Sequence, residues 1–235
     1  MAISVLKIAL ATTSVATMLF ASAGQAFAMS PFQASYQFSY NGKNMGSATR
    51  TLSQTGNNWN YVFSAKAGGI ASASETSRFT FINGKIGSSS FSRTSKILVH
   101  NNTMNIRFNP SSKIISTKKD DKSRSFAWQA GVLDELNAEL QLREDLKAGG
   151  LKSSYLIADA KEVEARRFIK QGTEKVSTQY GTFDTVKVIL KPNKPNRSTI
   201  FWLAPKLDYL PVKVTHQDGN TSYGLSLTGY KGKVN

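Results

Sequence analysis

Apolar and polar positions alternate along the chain from residue 32 onward. Phe32, Ala34, Tyr36, Phe38 and Tyr40 are separated by Gln33, Ser35, Gln37 and Ser39, the period of two that sends successive side chains to opposite faces of a strand. Asn41-Gly42 suits a hairpin turn, 45–52 can return, and Gly56-Asn57-Asn58 turns the chain again before Trp59, Tyr61, Phe63, Ala65 and Ala67 resume the alternation. Three such strands in a row predict a meander. The pattern continues through 78–82, 85–92, 104–108, 113–117 and 123–128, then more weakly through 154–158 and 163–171. Further strands are predicted over 174–180, 185–190, 199–203, 211–216 and 222–230.

Residues 132–146 depart from this period. Leu133, Leu136 and Leu140 fall on one helical face, and Gly149-Gly150 supplies a stop. The other side carries Asp134, Glu135, Glu139, Glu144 and Asp145, a third of the chain's 15 acids, and is expected to be a solvated face. No repeat or linker interrupts the sequence, and 191–197, with two prolines, reads as a loop between strands. An aromatic sheet face must be covered by curling, by a second sheet or by a helix. The expected fold is therefore mainly β: a single antiparallel, strongly curved sheet or half-open β-barrel with one main α-helix across the concave face.

Ahead of the strands lie Lys7, an apolar run over 8–20, and the small residues around Ala26-Phe27-Ala28. That is the pattern of a cleavable secretory signal, with cleavage expected after Ala28 and residues 29–235 forming one domain. The run is shorter than the roughly 20 apolar residues of a membrane span, and Thr12, Thr13 and Ser14 interrupt it. Cysteine is absent, which excludes disulfides, thiol catalysis, cysteine-ligated metal and lipid attachment at an N-terminal cysteine. A formal net charge of +15 favours anionic partners such as phosphorylated glycolipid or acidic polymer, and export argues against nucleic acid. A soluble protein without a membrane span is expected.

Two blocks in the C-terminal half carry a family resemblance. Tyr180-Gly181-Thr182-Phe183-Asp184-Thr185-Val186-Lys187-Val188 and the more specific Phe201-Trp202-Leu203-Ala204-Pro205-Lys206-Leu207-Asp208-Tyr209-Leu210-Pro211-Val212-Lys213-Val214 resemble the bacterial exported family catalogued as domain of unknown function number 3108. Weaker similarity extends over 32–52 and 133–146. The resemblance implies a periplasmic envelope protein of Gram-negative bacteria, its architecture similar to that of the carriers and receptors that handle lipoproteins between two membranes. Those folds wrap an incomplete barrel around an apolar cavity. The same blocks also suit hairpin geometry: Gly181 fits a tight turn, Phe201 and Leu203 share a face opposite Trp202, Ala204-Pro205 ends a strand, and Asp208 is placed to cap the next turn.

Candidate chemistry is sparse. The two histidines, His100 and His216, stand beside polar turn residues and read as surface or strand-end positions. No Gly-x-Ser-x-Gly elbow is present, and neither histidine has a ligand-spaced partner. Asp120-Asp121 sits among Lys118, Lys119 and Lys122 as a charged hairpin tip, and Ala67-Gly68-Gly69-Ile70 lacks the Lys-Ser/Thr of a phosphate loop. No catalytic residue, metal site or cofactor is expected. The remaining constellation is aromatic. Trp59, Tyr61, Phe63, Phe79, Phe81, Trp128 and Phe201 fit core packing; alternatively Trp59, Tyr61, Phe63, Phe81, Trp128 and Phe201 line a cavity for an acyl chain or sugar ring, with Lys191, Lys194 and Arg197 holding phosphate at its rim. Two functions follow: a non-enzymatic binder or carrier of lipid, lipopolysaccharide or another envelope component, or a basic scaffold for an acidic envelope polymer or protein complex.

Overall fold

The structure, a computed structural model, describes residues 29–235 apart from Ile70, Asn193 and Lys194. The expected signal segment lies outside the described residues. A first meander comprises β1 (Phe32–Tyr40), β2 (Lys43–Thr55), β3 (Asn58–Ala67), β4 (Ala71–Ile82), β5 (Lys85–Ile97), β6 (His100–Asn109), β7 (Ile114–Lys119) and β8 (Lys122–Ala127). Helix α1 (Glu135–Lys147) follows, then a small two-stranded sheet of β9 (Tyr155–Ala158) and β10 (Val163–Arg166). The second meander is β11 (Phe168–Ser177), β12 (Thr182–Leu190), β13 (Arg197–Ala204), β14 (Leu210–Asp218) and β15 (Thr221–Lys231).

Antiparallel pairing of β15 with β1 joins the meanders into one 13-stranded sheet that runs from β11 to β8 and is not closed into a barrel. Register shifts at Ser35/Tyr36, Phe38/Ser39, Arg78/Phe79 and Trp202/Leu203 add local twist that helps so long a sheet curl. The Asn41-Gly42 and Asn83-Gly84 turns have positive φ at both residues, the geometry that matches strand twist in two-residue hairpins. The sequence predicts separate strands over 163–171 and 174–180. Instead the chain breaks after Arg166, and β11 runs continuously to Ser177 through a register shift between Lys170 and Gly172, where Gly172 has φ 116°.

Inside the curve sits α1, packed against β4, β5 and β9. It begins later than expected because Asp134 is its N-cap, accepting from the Asn137 N–H at 3.0 Å, while Leu133 is held in a parallel bridge to Ile157. Leu136 to Glu144 are all buried, which overturns the expected solvated acidic face. Asp134, Glu139 and Glu144 are buried, Asp145 is half-buried and only Glu135 is exposed. A helix enclosed by a curved sheet has little surface left for water, so its buried acids must find partners.

The Asp-Tyr pair of the longer sequence block helps to anchor this helix. Asp208 and Tyr209 both adopt positive φ, and the Asp208 carbonyl accepts from Arg143 Nε of α1 at 3.0 Å. Trp202 lies on the sheet's other face, between the ammonium groups of Lys187 and Lys213 at 5.3 and 4.8 Å, with its Nε1–H donating to Glu174 at 3.0 Å. Trp202 thus lies opposite Phe201 and Leu203, as the alternation predicts.

Inward side chains change size along β3 and β4. On β3, Trp59, Tyr61 and Phe63 give way to Ala65 and Ala67; on β4, Ala71 and Ala73 precede Phe79. The aromatic half is filled by core and helix. The small-residue half, at the end bearing the β1–β2, β3–β4, β5–β6 and β14–β15 turns, leaves room inside the curve.

Candidate functional site

The floor of this open end is polar and buried. Arg50 shares the inward face of β2 with Ala48 and Leu52, so strand parity carries its guanidinium into the core. Its Nη1 donates to Tyr61 Oη at 2.8 Å and to the Glu139 carboxylate, and Tyr61 Oη donates to the other Glu139 oxygen at 2.9 Å. Tyr36, against which Arg50 also packs, donates to the Pro211 carbonyl at 3.0 Å. Burial opposes the Arg50 charge, but Glu139, Tyr61 and Tyr36 outweigh it, and Arg50 is held more firmly protonated than usual. Burial also pushes the hydroxyls of Tyr36 and Tyr61 up, against the pull of Arg50, so both stay neutral.

Nearby, Arg93 bridges Glu75 at 2.6 Å and Glu135. Burial raises the Glu75 carboxyl, with Arg93 opposing. At the start of α1, Asp134 accepts from Ser77 Oγ and from the backbone and side-chain nitrogens of Asn137. Burial outweighs these hydrogen bonds and raises its carboxyl to about 7.

Two recesses open above this floor. One, of about 220 Å³, is apolar and lined by Phe38, Phe63, Ala65, Ala73, Ile97 and Tyr223 among others. The second, of about 280 Å³, is lined by Arg50, Arg166, Arg197, His216, Phe168 and Phe201, and also by Glu135 and Glu139. They adjoin at two contacts: Tyr223 lies 6.1 Å from the His216 ring, and Arg50 lies 5.2 Å from the Phe63 ring. Arg166 and Arg197 pair with Glu164 at 3.5 Å and Asp218 at 2.5 Å. Yet the buried Nε–H groups of Arg50, Arg166 and Arg197 meet no protein acceptor. Burial, then the neighbouring Arg197, lowers the His216 pKa, and its Nδ1 lies 2.7 Å from Thr199 Oγ1. Such a site can receive an anionic oxygen beside an apolar group.

The predicted site residues divide. Phe63 enters the apolar recess, and Phe201 and Arg197 enter the basic one. Trp59 and Tyr61 are core residues, Trp59 stacking on Phe79 at 6.3 Å. Phe81 packs on the core edge, and Trp128 lies under the Lys113 ammonium at 5.0 Å; neither lines the two recesses. Lys191 is exposed, with its N–H donating to the Arg167 carbonyl at 2.8 Å, and Lys194 lies outside the described residues. His100 is exposed as expected, but His216 is half-buried within β14, not at a strand end, because it shares the inward face of Val212 and Val214.

Sequence reasoning missed Phe38, Tyr223, Arg50 and Arg166 as site residues. Strand parity could have found Arg50 and Phe38, which continue inward-facing rows. On the outer sheet face a further groove of about 570 Å³ is lined by Arg78, Arg107, Ser90, Ser92 and Asn105. Among the described residues there is no group of three or more side chains placed to hold a metal ion, and no helix long and apolar enough to cross a membrane.

No curated protein gives a match. A crystal structure of a β-barrel-like protein of domain of unknown function DUF1849 from Brucella abortus is similar in fold, with a TM-score of 0.54, 12% identity, and coverage of 86% of this chain and 98% of that one. A candidate lipoprotein from Parabacteroides distasonis aligns at a TM-score of 0.33 and 12% identity, over 86% of this chain and 96% of that one. The sequence itself matches the family described as protein of unknown function DUF3108 over residues 35–228. That match takes in the inward rows of β2 to β6, the buried helix and both C-terminal blocks, and the chain belongs to the DUF3108 family.

Proposed function

We propose that this is an exported, non-enzymatic protein of the cell envelope that holds an amphipathic molecule with an anionic head in the open end of its half-barrel. The observation that carries this reading is the adjacency of an apolar recess and a recess lined by three arginines. An apolar chain would lie against Phe38, Phe63 and the alanines, and a phosphate or carboxylate would face Arg166 and Arg197. The apolar recess is smaller than the roughly 300–1,000 Å³ of complete small-molecule sites, which suits part of a chain, not a whole lipid. The signal-like sequence of residues 1–28 supports export to the periplasm.

Native mass spectrometry of the protein recovered from the envelope of cells that make it tests the proposal. A lipid-sized adduct that disappears on delipidation is expected. Bare protein alone, under conditions that preserve the adduct of a known lipid carrier, would count against it.

The outer groove favours a second reading, in which Arg78 and Arg107 grip an acidic envelope polymer. Salt-sensitive pull-down with lipopolysaccharide or peptidoglycan, lost in R78E/R107E, would support it. Recovery equal to wild type in that variant would refute it.

A further inference from the structure

Six hairpins of the large sheet turn on two residues. In each, the first of the two has positive φ: Asn41, Gly56, Asn83, Leu98, Asp120 and Gly219. Asparagine, aspartate and glycine tolerate that conformation, whereas a bulky apolar side chain does so at a steric cost. Leu98 is the one exception in this set, and Val99 follows it. Neither residue gains cover in exchange, since Ile97, Leu98 and Val99 are 58%, 60% and 84% exposed. A turn that rejects the residues favoured elsewhere in the same sheet, and presents three apolar side chains instead, calls for a medium that accepts them.

The surroundings specify that medium. Lys66, Ser72 and Lys96 stand in register across β3, β4 and β5, and Lys66, Lys96 and Leu98 line one shallow depression at the rim. Residues 41–49, 64–74 and 94–102 carry Lys43, Lys66 and Lys96 and no carboxylate; at the same end Asp120 and Asp121 of the β7–β8 turn stand among Lys118, Lys119 and Lys122, and Asp218 is paired with Arg197. Ile97 also lines the apolar recess, so the exposed tip is continuous with the interior. Three side chains on a protruding turn cannot supply the roughly 800 Å² per partner of a stable protein interface. Insertion into a bilayer interface requires no matching surface, and lysines beside the inserted groups draw it to anionic lipid.

We infer that the β5–β6 tip, Ile97 to Val99, together with Lys66 and Lys96, is a docking surface for an anionic lipid bilayer. The inference stands apart from ligand binding, because docking needs only the rim.

Flotation with phosphatidylcholine vesicles, with or without phosphatidylglycerol, tests it on protein recovered from the cells that make it. Wild type should float with the anionic vesicles and far less with the neutral ones, and about 0.5 M salt should release much of it. L98N/V99G installs the turn residues used elsewhere in the sheet, so its melting temperature should hold or rise while vesicle-bound protein falls at least about tenfold. K66E/K96E should lose binding to anionic vesicles at unchanged melting temperature. Failure of wild type to float, or flotation of either folded variant equal to wild type, would overturn the inference. Uptake of dansyl-labelled undecanoic acid by L98N/V99G, measured in parallel, keeps ligand binding and docking separate.

Discussion

Arg50 of β2 and Glu139 of α1, 89 residues apart in sequence, form an ion pair inside the protein with side chains only 7% and 6% exposed. It ties the sheet to the helix beneath the open end, and Tyr61 completes the triangle. Removing one partner of a buried pair leaves an uncompensated charge, at a cost of about 3–5 kcal/mol, whereas replacing both by apolar groups is often near neutral. Glu139→Ala should therefore destabilise by about 3–5 kcal/mol in urea denaturation, and R50M/E139M should recover most of the loss. A loss below about 1 kcal/mol in the single variant would mean the pair is not buried as described.

Asp134 predicts an unusual pH dependence. Its carboxyl lies at about 7 in the folded chain, against about 3.9 when unfolded. Between those values the folded protein holds a proton that the unfolded chain has released, so stability falls as pH rises across the window. A shift of that size corresponds to at most about 4 kcal/mol. Asp134→Asn keeps a cap acceptor for α1 and should flatten the slope between about pH 4 and about pH 7, leaving a contribution of the same sign from the raised Glu75 carboxyl. Identical urea midpoints against pH in wild type and D134N would contradict the assignment.

Much of this architecture is legible in strand parity, and the failures have a common cause. The alternation of Phe32, Ala34 and Tyr36 predicts β1 and its buried face, and the curved sheet around one helix follows from having many strands and a single amphipathic segment. The acids of α1 mislead because a charged helix face normally meets water. Here Glu139 meets Arg50, whose inward position shows in its alternation with Ala48 and Leu52 but whose partner is set by tertiary packing. Phe38 and Tyr223 come within 6.3 Å only because β15 pairs with β1, a closure that joins chain ends far apart in sequence and leaves no local signal. The aromatic residues chosen from sequence were large and conspicuous; the recess owes its space to Ala65 and Ala73, where the signal is missing bulk.

That missing bulk predicts different responses to added volume. Ala48 is 2% exposed and does not line the recess, so Ala48→Leu should cost about 1–3 kcal/mol through overpacking. A65L/A73L places its extra methyl groups in the recess and should change stability by less than about 1 kcal/mol per site. Thermal melts of the two variants check this, and equal losses per site would mean the recess is packed.

Binding of dansyl-labelled undecanoic acid, followed by fluorescence titration, tests the central claim most directly because the probe joins an apolar chain to a carboxylate. Wild type should show saturable binding, A65L/A73L should lose it while remaining folded, and R166M/R197M should weaken it at least about tenfold through loss of charge-assisted hydrogen bonds. Absence of saturable binding by wild type, or equal affinity in the recess-filled variant, would contradict the assignment of this end of the half-barrel as a ligand site.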